Sequence, residues 1–141
     1  DVRFATPDSR FGIPAAKLGL GYEYEGLAKL ARLVGPSRAR DIMFSARFMP
    51  AREALDMGLI NFIEERDDIE GACVSYAKTI AENAPLTVEA AKAAINAWER
   101  GSRTEEVNAV RAMVDACFDS EDYREGRKAF AAKRKPEFKN R

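Results

Sequence analysis

The sequence of 141 residues contains no histidine and only two cysteines. Histidine is the commonest general base and metal ligand of proteins, so its absence excludes Ser-His and Cys-His nucleophile pairs. Acid–base chemistry must then come from carboxylates, lysine, tyrosine or cysteine. Cys73 and Cys117 are far apart and form no CxxC motif, which gives no support for a zinc or redox site. They are predicted to be small buried residues of a protein in the reducing cytoplasm.

The chain also lacks net charge and long apolar runs. Its 23 Lys and Arg residues balance 23 Asp and Glu residues, so no overall attraction to nucleic acid or to a membrane surface is predicted. No apolar run approaches the ~20 residues that span a bilayer. The charged opening residues 1–10 predict no secretory signal. Because the first residue is not methionine, we expect a processed or cut piece of a longer protein.

The apolar spacing and the turn residues predict a mostly helical chain with sparse strands. Apolar residues at i, i+3, i+4 and i+7 from Leu27 indicate one helix, and Gly35-Pro36 and Gly58 are typical helix ends. Thr104 and Ser120 are predicted N-caps. The predicted strands are 2–5, 11–13 and 59–63, and the predicted helices are 24–34, 37–46, 51–57, 69–83, 86–100, 105–118 and 121–133. A strand at the very start needs a partner elsewhere, which implies missing sheet.

Four stretches, in order and with matching spacing, resemble the enoyl-CoA hydratase/isomerase (crotonase) family. The first runs from Ala5-Thr6 through Ser9-Arg10-Phe11-Gly12-Ile13-Pro14 to Leu18-Gly19-Leu20, the second is Arg32-Leu33-Val34-Gly35, the third covers residues 51–61, and the fourth joins Ser120-Glu121-Asp122, Glu125-Gly126, Phe130 and residues 133–138. The match extends over essentially the whole chain. A single one of these stretches would be a weak signal, whereas the ordered set is specific.

The resemblance implies an α/β crotonase spiral fold, of which this chain would be a mostly α-helical part with a few short strands. Residues 1–65 would end the spiral core, and residues 66–141 would form the C-terminal helical region that packs subunits into a trimer or a dimer of trimers. The two N–H donors of the family's oxyanion hole would belong to a missing N-terminal half. Such donors stabilise the enolate-like charge that develops on an acyl-CoA thioester.

The resemblance also locates the expected acid–base chemistry. Hydratases of this family use two glutamates around one water, and the second follows the Phe-Gly-x-Pro motif directly. That position is Ala15 here, and a methyl group transfers no proton. In dienoyl-CoA isomerases of the family, a catalytic Asp falls where this chain has Glu23, which makes Glu23 the best catalytic carboxylate and Glu25 the second choice. The alternative is that Glu23 is a surface residue in a helix first turn, where negative charge is favourable.

The remaining expectations concern binding. The predicted substrate pocket is lined by Phe11, Pro14, Leu20, Tyr22 and Tyr24, with ordinary packing as the alternative for the two tyrosines. By resemblance, Phe130 and Lys133 would reach the coenzyme A of a neighbouring subunit, because adenine stacks on aromatic rings and phosphates attract cations. The alternative makes Phe130 a core residue and the basic run a solvated helix end.

These expectations define three hypotheses of function. In the first, the parent protein acts on an acyl-CoA, and isomerisation or another one-carboxylate reaction is favoured over hydration because of Ala15. In the second, it is a non-catalytic acyl-CoA-binding or assembly module. In the third, the chain is an inactive proteolytic remnant. No metal and no cofactor other than the coenzyme A of the substrate are expected.

Overall fold

The computed structural model describes all residues 1–141, which form two compact units, Asp1–Val74 and Ser75–Arg141. The first unit contains four strands of two residues each, a short 3-10 helix and three α-helices, and the boundary falls within a fourth helix. The elements in chain order are β1 Phe4–Ala5, β2 Arg10–Phe11, the 3-10 helix Pro14–Leu18, α1 Tyr24–Val34, α2 Pro36–Ser45, β3 Met49–Pro50, α3 Ala51–Asp56, β4 Phe62–Ile63, α4 Ile69–Ala81, α5 Pro85–Glu99, α6 Thr104–Asp119 and α7 Glu121–Ala131.

All seven predicted helices are present, with ends within two residues of the predicted ones. Gly35 ends α1 at a positive φ of 84° and Pro36 begins α2, so the Gly-Pro pair acts as predicted. Gly58 follows α3 with a φ of 79°, the left-handed backbone that glycine adopts without strain. Ser120 caps α7 by accepting the Tyr123 N–H at 3.0 Å. The predicted N-cap Thr104 is wrong, because the helix already includes it and Arg103 is the capping residue.

The strands are shorter than predicted, and two of them pair across most of the first unit. β1 is parallel to β4, with Phe4 opposite Phe62, and the two rings stack at 4.8 Å between centroids. The predicted strand 59–63 shrinks to Phe62–Ile63, because the N–H groups of Leu59 and Ile60 instead donate to the carbonyl of Ala54 at the end of α3. This pairing supplies one partner for the opening strand from within the chain itself.

A second strand pair brings β2 against β3 in antiparallel register, with Phe11 opposite Met49. The backbone approaches so closely here that a Cβ atom at Gly12 would lie 2.6 Å from the carbonyl oxygen of Arg47. Glycine is therefore required at position 12 by packing. Neither β3 nor the 3-10 helix was predicted from the sequence.

The core of the first unit is built largely from small residues, which let short elements approach closely. Its largest fully buried side chains are Ile42 and Met49. Leu30 and Ala31 of α1 pack against it half-buried, as the apolar spacing of that helix predicts. The buried cluster consists of Ala5, Val34, Ala39, Ile42, Met49, Ala51, Ala54, Met57 and Ile60.

The second unit packs α5 against α6 and α6 against α7. Its buried residues are few, and α6 contributes none. The prediction of buried cysteines is wrong: Cys73 is exposed and Cys117 is half-buried, since the helices α4 and α6 leave much of their surface uncovered. All seven α-helices fall short of the length or the apolar character that a membrane-spanning helix requires.

Candidate functional site

The loop that carries the Phe-Gly-Ile-Pro motif leads from β2 directly into the 3-10 helix. Pro14 occupies the first position of that helix, where its missing N–H costs no hydrogen bond. Ala15 is buried, with 5% of its surface exposed. Its carbonyl accepts the N–H groups of Gly19 and Leu20, the latter at 3.1 Å, which fixes the turn. The structure thus holds a methyl group, and no proton-transfer group, at the position after the motif.

Glu23 lies at the N-terminal end of α1, where it is the N-capping residue. Its carbonyl accepts the Leu27 N–H at 3.2 Å, but its side chain forms no capping hydrogen bond. The carboxylate is exposed, and Glu25 lies in the first turn of the same helix. Both carboxylates are therefore open to solvent and to an incoming ligand, and the catalytic role of Glu23 stays a prediction.

A cavity of about 390 Å³ lies in the first unit between the 3-10 helix, α1 and α2. It contains two of the predicted pocket residues, Leu20 and Tyr22, but its walls do not include Phe11, Pro14 or Tyr24. Tyr24 is instead 76% exposed. The full lining is Ala16, Leu20, Tyr22, Leu27, Ala31, Pro36, Ala39, Arg40, Met43 and Phe44.

The predicted coenzyme A residues lie at the end of α7 in the second unit. Phe130 is 88% exposed, so the alternative that places it in the core is wrong. Lys133 lies two residues past the helix, which ends at Ala131 and not at 133 as predicted, and its φ is 52°. The Lys133 N–H donates to the Phe130 carbonyl at 3.1 Å, which ties the two residues into one turn. An aromatic ring can stack on a base and a lysine can pair with phosphates, and contact with coenzyme A stays a prediction.

Phe130 also belongs to the wall of a larger apolar groove of about 640 Å³ in the second unit. The groove lies between α5, α6, α7 and the C-terminal tail, where the Phe138 ring comes within 3.6 Å of the position a Cβ at Gly126 would take. Glycine at position 126 thus leaves room for the tail aromatic.

The carboxylates of the C-terminal motif have a role that the sequence did not reveal. Asp122, only 3% exposed, accepts the backbone N–H groups of Lys139 and Asn140 at 2.6 and 2.9 Å. Glu125 forms a bidentate pair with Arg134 at 2.6 and 2.9 Å and accepts the Glu137 N–H at 3.0 Å. Together they hold the tail, residues 134–141, against α7.

The hydrogen bonds from Arg134 and from the Glu137 N–H lower the pKa of Glu125 to about 2, well below its ordinary 4.5. Charge-assisted contacts of this kind favour the ionised carboxylate. The Glu125 carboxylate that holds the tail is therefore ionised at neutral pH.

A second set of charges supports the motif loop. The Arg47 guanidinium contacts Asp41 at 2.6 Å and holds both carboxylate oxygens of Glu53. The hydrogen bond from Arg47 lowers the pKa of Glu53. Because the Arg47 carbonyl backs onto Gly12, this cluster fixes the segment on which the motif loop rests. No three Cys, Asp or Glu side chains come together as metal ligands.

Comparison with known proteins identifies the family of this fold and site. A family model described as enoyl-CoA hydratase/isomerase matches residues 1–141. The short-chain-enoyl-CoA hydratase of Clostridium acetobutylicum is 37% identical over 145 residues, which cover 100% of this chain and 54% of that protein. The methylmalonyl-CoA decarboxylase of Escherichia coli is 31% identical, over 98% of this chain and 54% of that protein. The chain belongs to the enoyl-CoA hydratase/isomerase family.

Solved structures agree with this membership and with the predicted crotonase fold. An enoyl-CoA hydratase/isomerase family protein of Hyphomonas neptunium superposes with a TM-score of 0.87 at 33% identity, over 100% of this chain and 53% of that one. An enoyl-CoA hydratase of Bacillus anthracis gives a TM-score of 0.88 at 28% identity, over 100% and 55%. The chain spans about half the length of these relatives.

Proposed function

We propose that the parent protein acts on an acyl-CoA thioester and stabilises enolate-like charge with an oxyanion hole whose donors lie outside residues 1–141. Family membership supports the thioester substrate. The 3-10 helix and the cavity beside it would receive the acyl group, while Phe130 and Lys133 would contact coenzyme A. The subunits would assemble as a trimer or a dimer of trimers, and the protein would work in the cytoplasm without a further cofactor.

The observation that carries the choice of reaction is the buried methyl group of Ala15. Hydration adds the oxygen of water to one carbon of a double bond and a proton to the next. A carboxylate base and a carboxylic acid on either side of the water perform these transfers. Position 15, where resemblance places one of the two, has no proton to give. The proposal therefore favours a reaction that needs one carboxylate or none.

Isomerisation is the first such reaction. A single carboxylate can remove a proton from one carbon of the acyl chain and return it to another, while the thioester carbonyl takes up the charge between the two steps. Glu23 is the proposed carboxylate. Its exposed position at the start of α1, next to the cavity residue Tyr22, leaves it accessible to a substrate.

Decarboxylation is a second candidate, favoured by the Escherichia coli relative named methylmalonyl-CoA decarboxylase. The substrate carboxylate is attached to the carbon next to the thioester carbonyl. When it leaves as CO₂, the electron pair of the broken carbon–carbon bond forms the enolate, and water can later protonate that carbon. No protein base is needed. The methyl group of Ala15 would also avoid the repulsion that a glutamate exerts on the substrate carboxylate.

Three assays on the full-length protein separate these reactions from each other and from a binding module. They are hydration of crotonyl-CoA, double-bond migration in an enoyl-CoA, and CO₂ release from methylmalonyl-CoA. Isomerisation that disappears in Glu23→Gln but survives in Glu25→Gln would support Glu23 as the base, whereas unchanged turnover in Glu23→Gln rejects it. Binding of an acyl-CoA without any of the three reactions would support the non-catalytic module.

A further inference from the structure

The cavity of about 390 Å³ beside the motif has a single charged residue in its wall. Nine of its ten lining residues are uncharged, and the tenth is Arg40 on α2. Ala16, which follows the motif position Ala15, lies in the same wall. A cavity of this size is at the small end of ligand pockets, which occupy ~300–1,000 Å³, so it suits a short acyl group.

Arg40 has no side-chain partner among residues 1–141. No hydrogen bond or ion pair joins its exposed guanidinium to another side chain. The acid next to it in sequence, Asp41, is engaged by Arg47 at 2.6 Å, and no acidic residue lines the cavity. The wall therefore presents one cation that is not neutralised, at the edge of an apolar surface.

We propose that Arg40 selects acyl groups that carry a carboxylate at the end remote from the thioester. The proposal rests on the acyl-CoA function proposed above. The chain of such a group would contact Leu27, Ala31 and Met43, and its carboxylate would meet the planar guanidinium, which binds carboxylates through paired hydrogen bonds. A methyl-terminated chain of equal length leaves the cation without a counter-charge.

Binding of two saturated, unreactive thioesters to the full-length protein tests this. Glutaryl-CoA and pentanoyl-CoA have five-carbon acyl groups that differ in the terminal carboxylate and methyl. We expect calorimetry to give glutaryl-CoA a dissociation constant about tenfold lower or more than that of pentanoyl-CoA. Charge-assisted hydrogen bonds contribute a binding free energy that corresponds to about this ratio. Arg40→Met should remove the preference, and Arg40→Lys should keep part of it. Arg38→Met is the matched control, because Arg38 is an exposed arginine of the same helix that does not line the cavity.

Each other outcome overturns the proposal in a recognisable way. Equal binding of both thioesters, or a preference that survives Arg40→Met, removes Arg40 from acyl selection. Weakening of both thioesters to the same degree assigns Arg40 to the phosphates of coenzyme A instead. If light scattering shows that Arg40→Met changes the molecular mass of the assembly, the cavity wall is assigned to a contact between subunits. Failure of both thioesters to bind the unaltered protein rejects the acyl-CoA function itself.

Discussion

Replacing Gly12 with alanine tests how the motif loop is positioned. The added methyl carbon would lie 2.6 Å from the Arg47 carbonyl oxygen and 3.0 Å from Cδ1 of Phe48. Carbon and oxygen atoms in close contact normally remain about 3.3–3.6 Å apart. Because the first of these neighbours is backbone, it cannot rotate away. The segment before β3 must therefore separate from the motif loop by several tenths of an ångström.

The cost follows from this overlap. Forcing an extra methyl group into well-packed surroundings destabilises a protein by about 1–3 kcal/mol. We expect the free energy of unfolding of the full-length Gly12→Ala protein, measured with urea, to fall by that amount. The midpoint of the urea transition should fall with it. The displaced Arg47 should also lose contact geometry with Asp41 and Glu53, whose carboxylates it now holds.

Gly21→Ala is the matched control for this prediction. A Cβ at position 21 meets no atom within 4 Å, and its φ is not in the left-handed region. Alanine there should be neutral or stabilising by up to about 1 kcal/mol, through a smaller entropy of the unfolded chain. If Gly12→Ala and Gly21→Ala unfold at the same urea concentration, the close approach of Arg47 and Phe48 to the motif loop is refuted.

Three further predictions concern the second unit. Ser120→Ala should lower stability by about 1 kcal/mol, because the Tyr123 N–H loses its acceptor; an unchanged thermal midpoint would contradict the cap. Since the folded pKa of Glu125 is about 2 against an ordinary 4.5, its contribution is complete above pH 4.5 and lost as the pH falls towards 2. Glu125→Gln should thus be less stable than the unaltered protein at pH 7, and this gap in urea unfolding should shrink as the pH falls from 4.5 towards 2; a gap of the same size at pH 7 and at pH 2 would refute the charged contact between Glu125 and the tail. Phe130→Ala should change stability by less than about 0.5 kcal/mol because the ring is exposed, yet weaken acyl-CoA binding in calorimetry; a loss of stability typical of a core phenylalanine would contradict the exposure.

The sequence predicted the helices well because their signals are local. Gly35, Pro36, Gly58 and Ser120 act through the geometry of one or two neighbouring residues, and such geometry is visible in a short stretch of sequence. Thr104 was misjudged because two helix starts one residue apart satisfy the same pattern.

The strand pairs and the contacts of the tail could not be predicted from short stretches of sequence, because they join residues that are far apart in the chain. Phe4 pairs with Phe62 through strands of only two residues, which are too short for an alternating pattern. The Asp122 carboxylate accepts the backbone N–H groups of Lys139 and Asn140 in the tail. Every residue except proline has such a group, so no side-chain type marks these two residues as partners. The exposure of Phe130 depends on how α7 packs, and neither its spacing nor its residue type decides that.

The substrate pocket expected from the resemblance stays a prediction. Two of its expected residues, Leu20 and Tyr22, line the cavity of the first unit, whereas Phe11, Pro14 and Tyr24 do not. Arg40 was missed because it lies on α2, away from the motif in sequence, and only the packing of α1 against α2 brings it to the cavity wall. Contacts made by tertiary packing are not encoded in any one stretch.

The role of the methyl group at position 15 is tested by hydration of crotonyl-CoA in the full-length protein, compared with Ala15→Glu and its uncharged isostere Ala15→Gln. We expect little hydration by the unaltered protein and by Ala15→Gln. We expect hydration to rise in Ala15→Glu towards the ~10²–10⁴-fold that general acid–base catalysis contributes, provided that calorimetric acyl-CoA binding is retained. Rapid hydration by the unaltered protein, with Ala15→Glu no faster, would contradict the claim that the methyl group at position 15 excludes two-carboxylate chemistry.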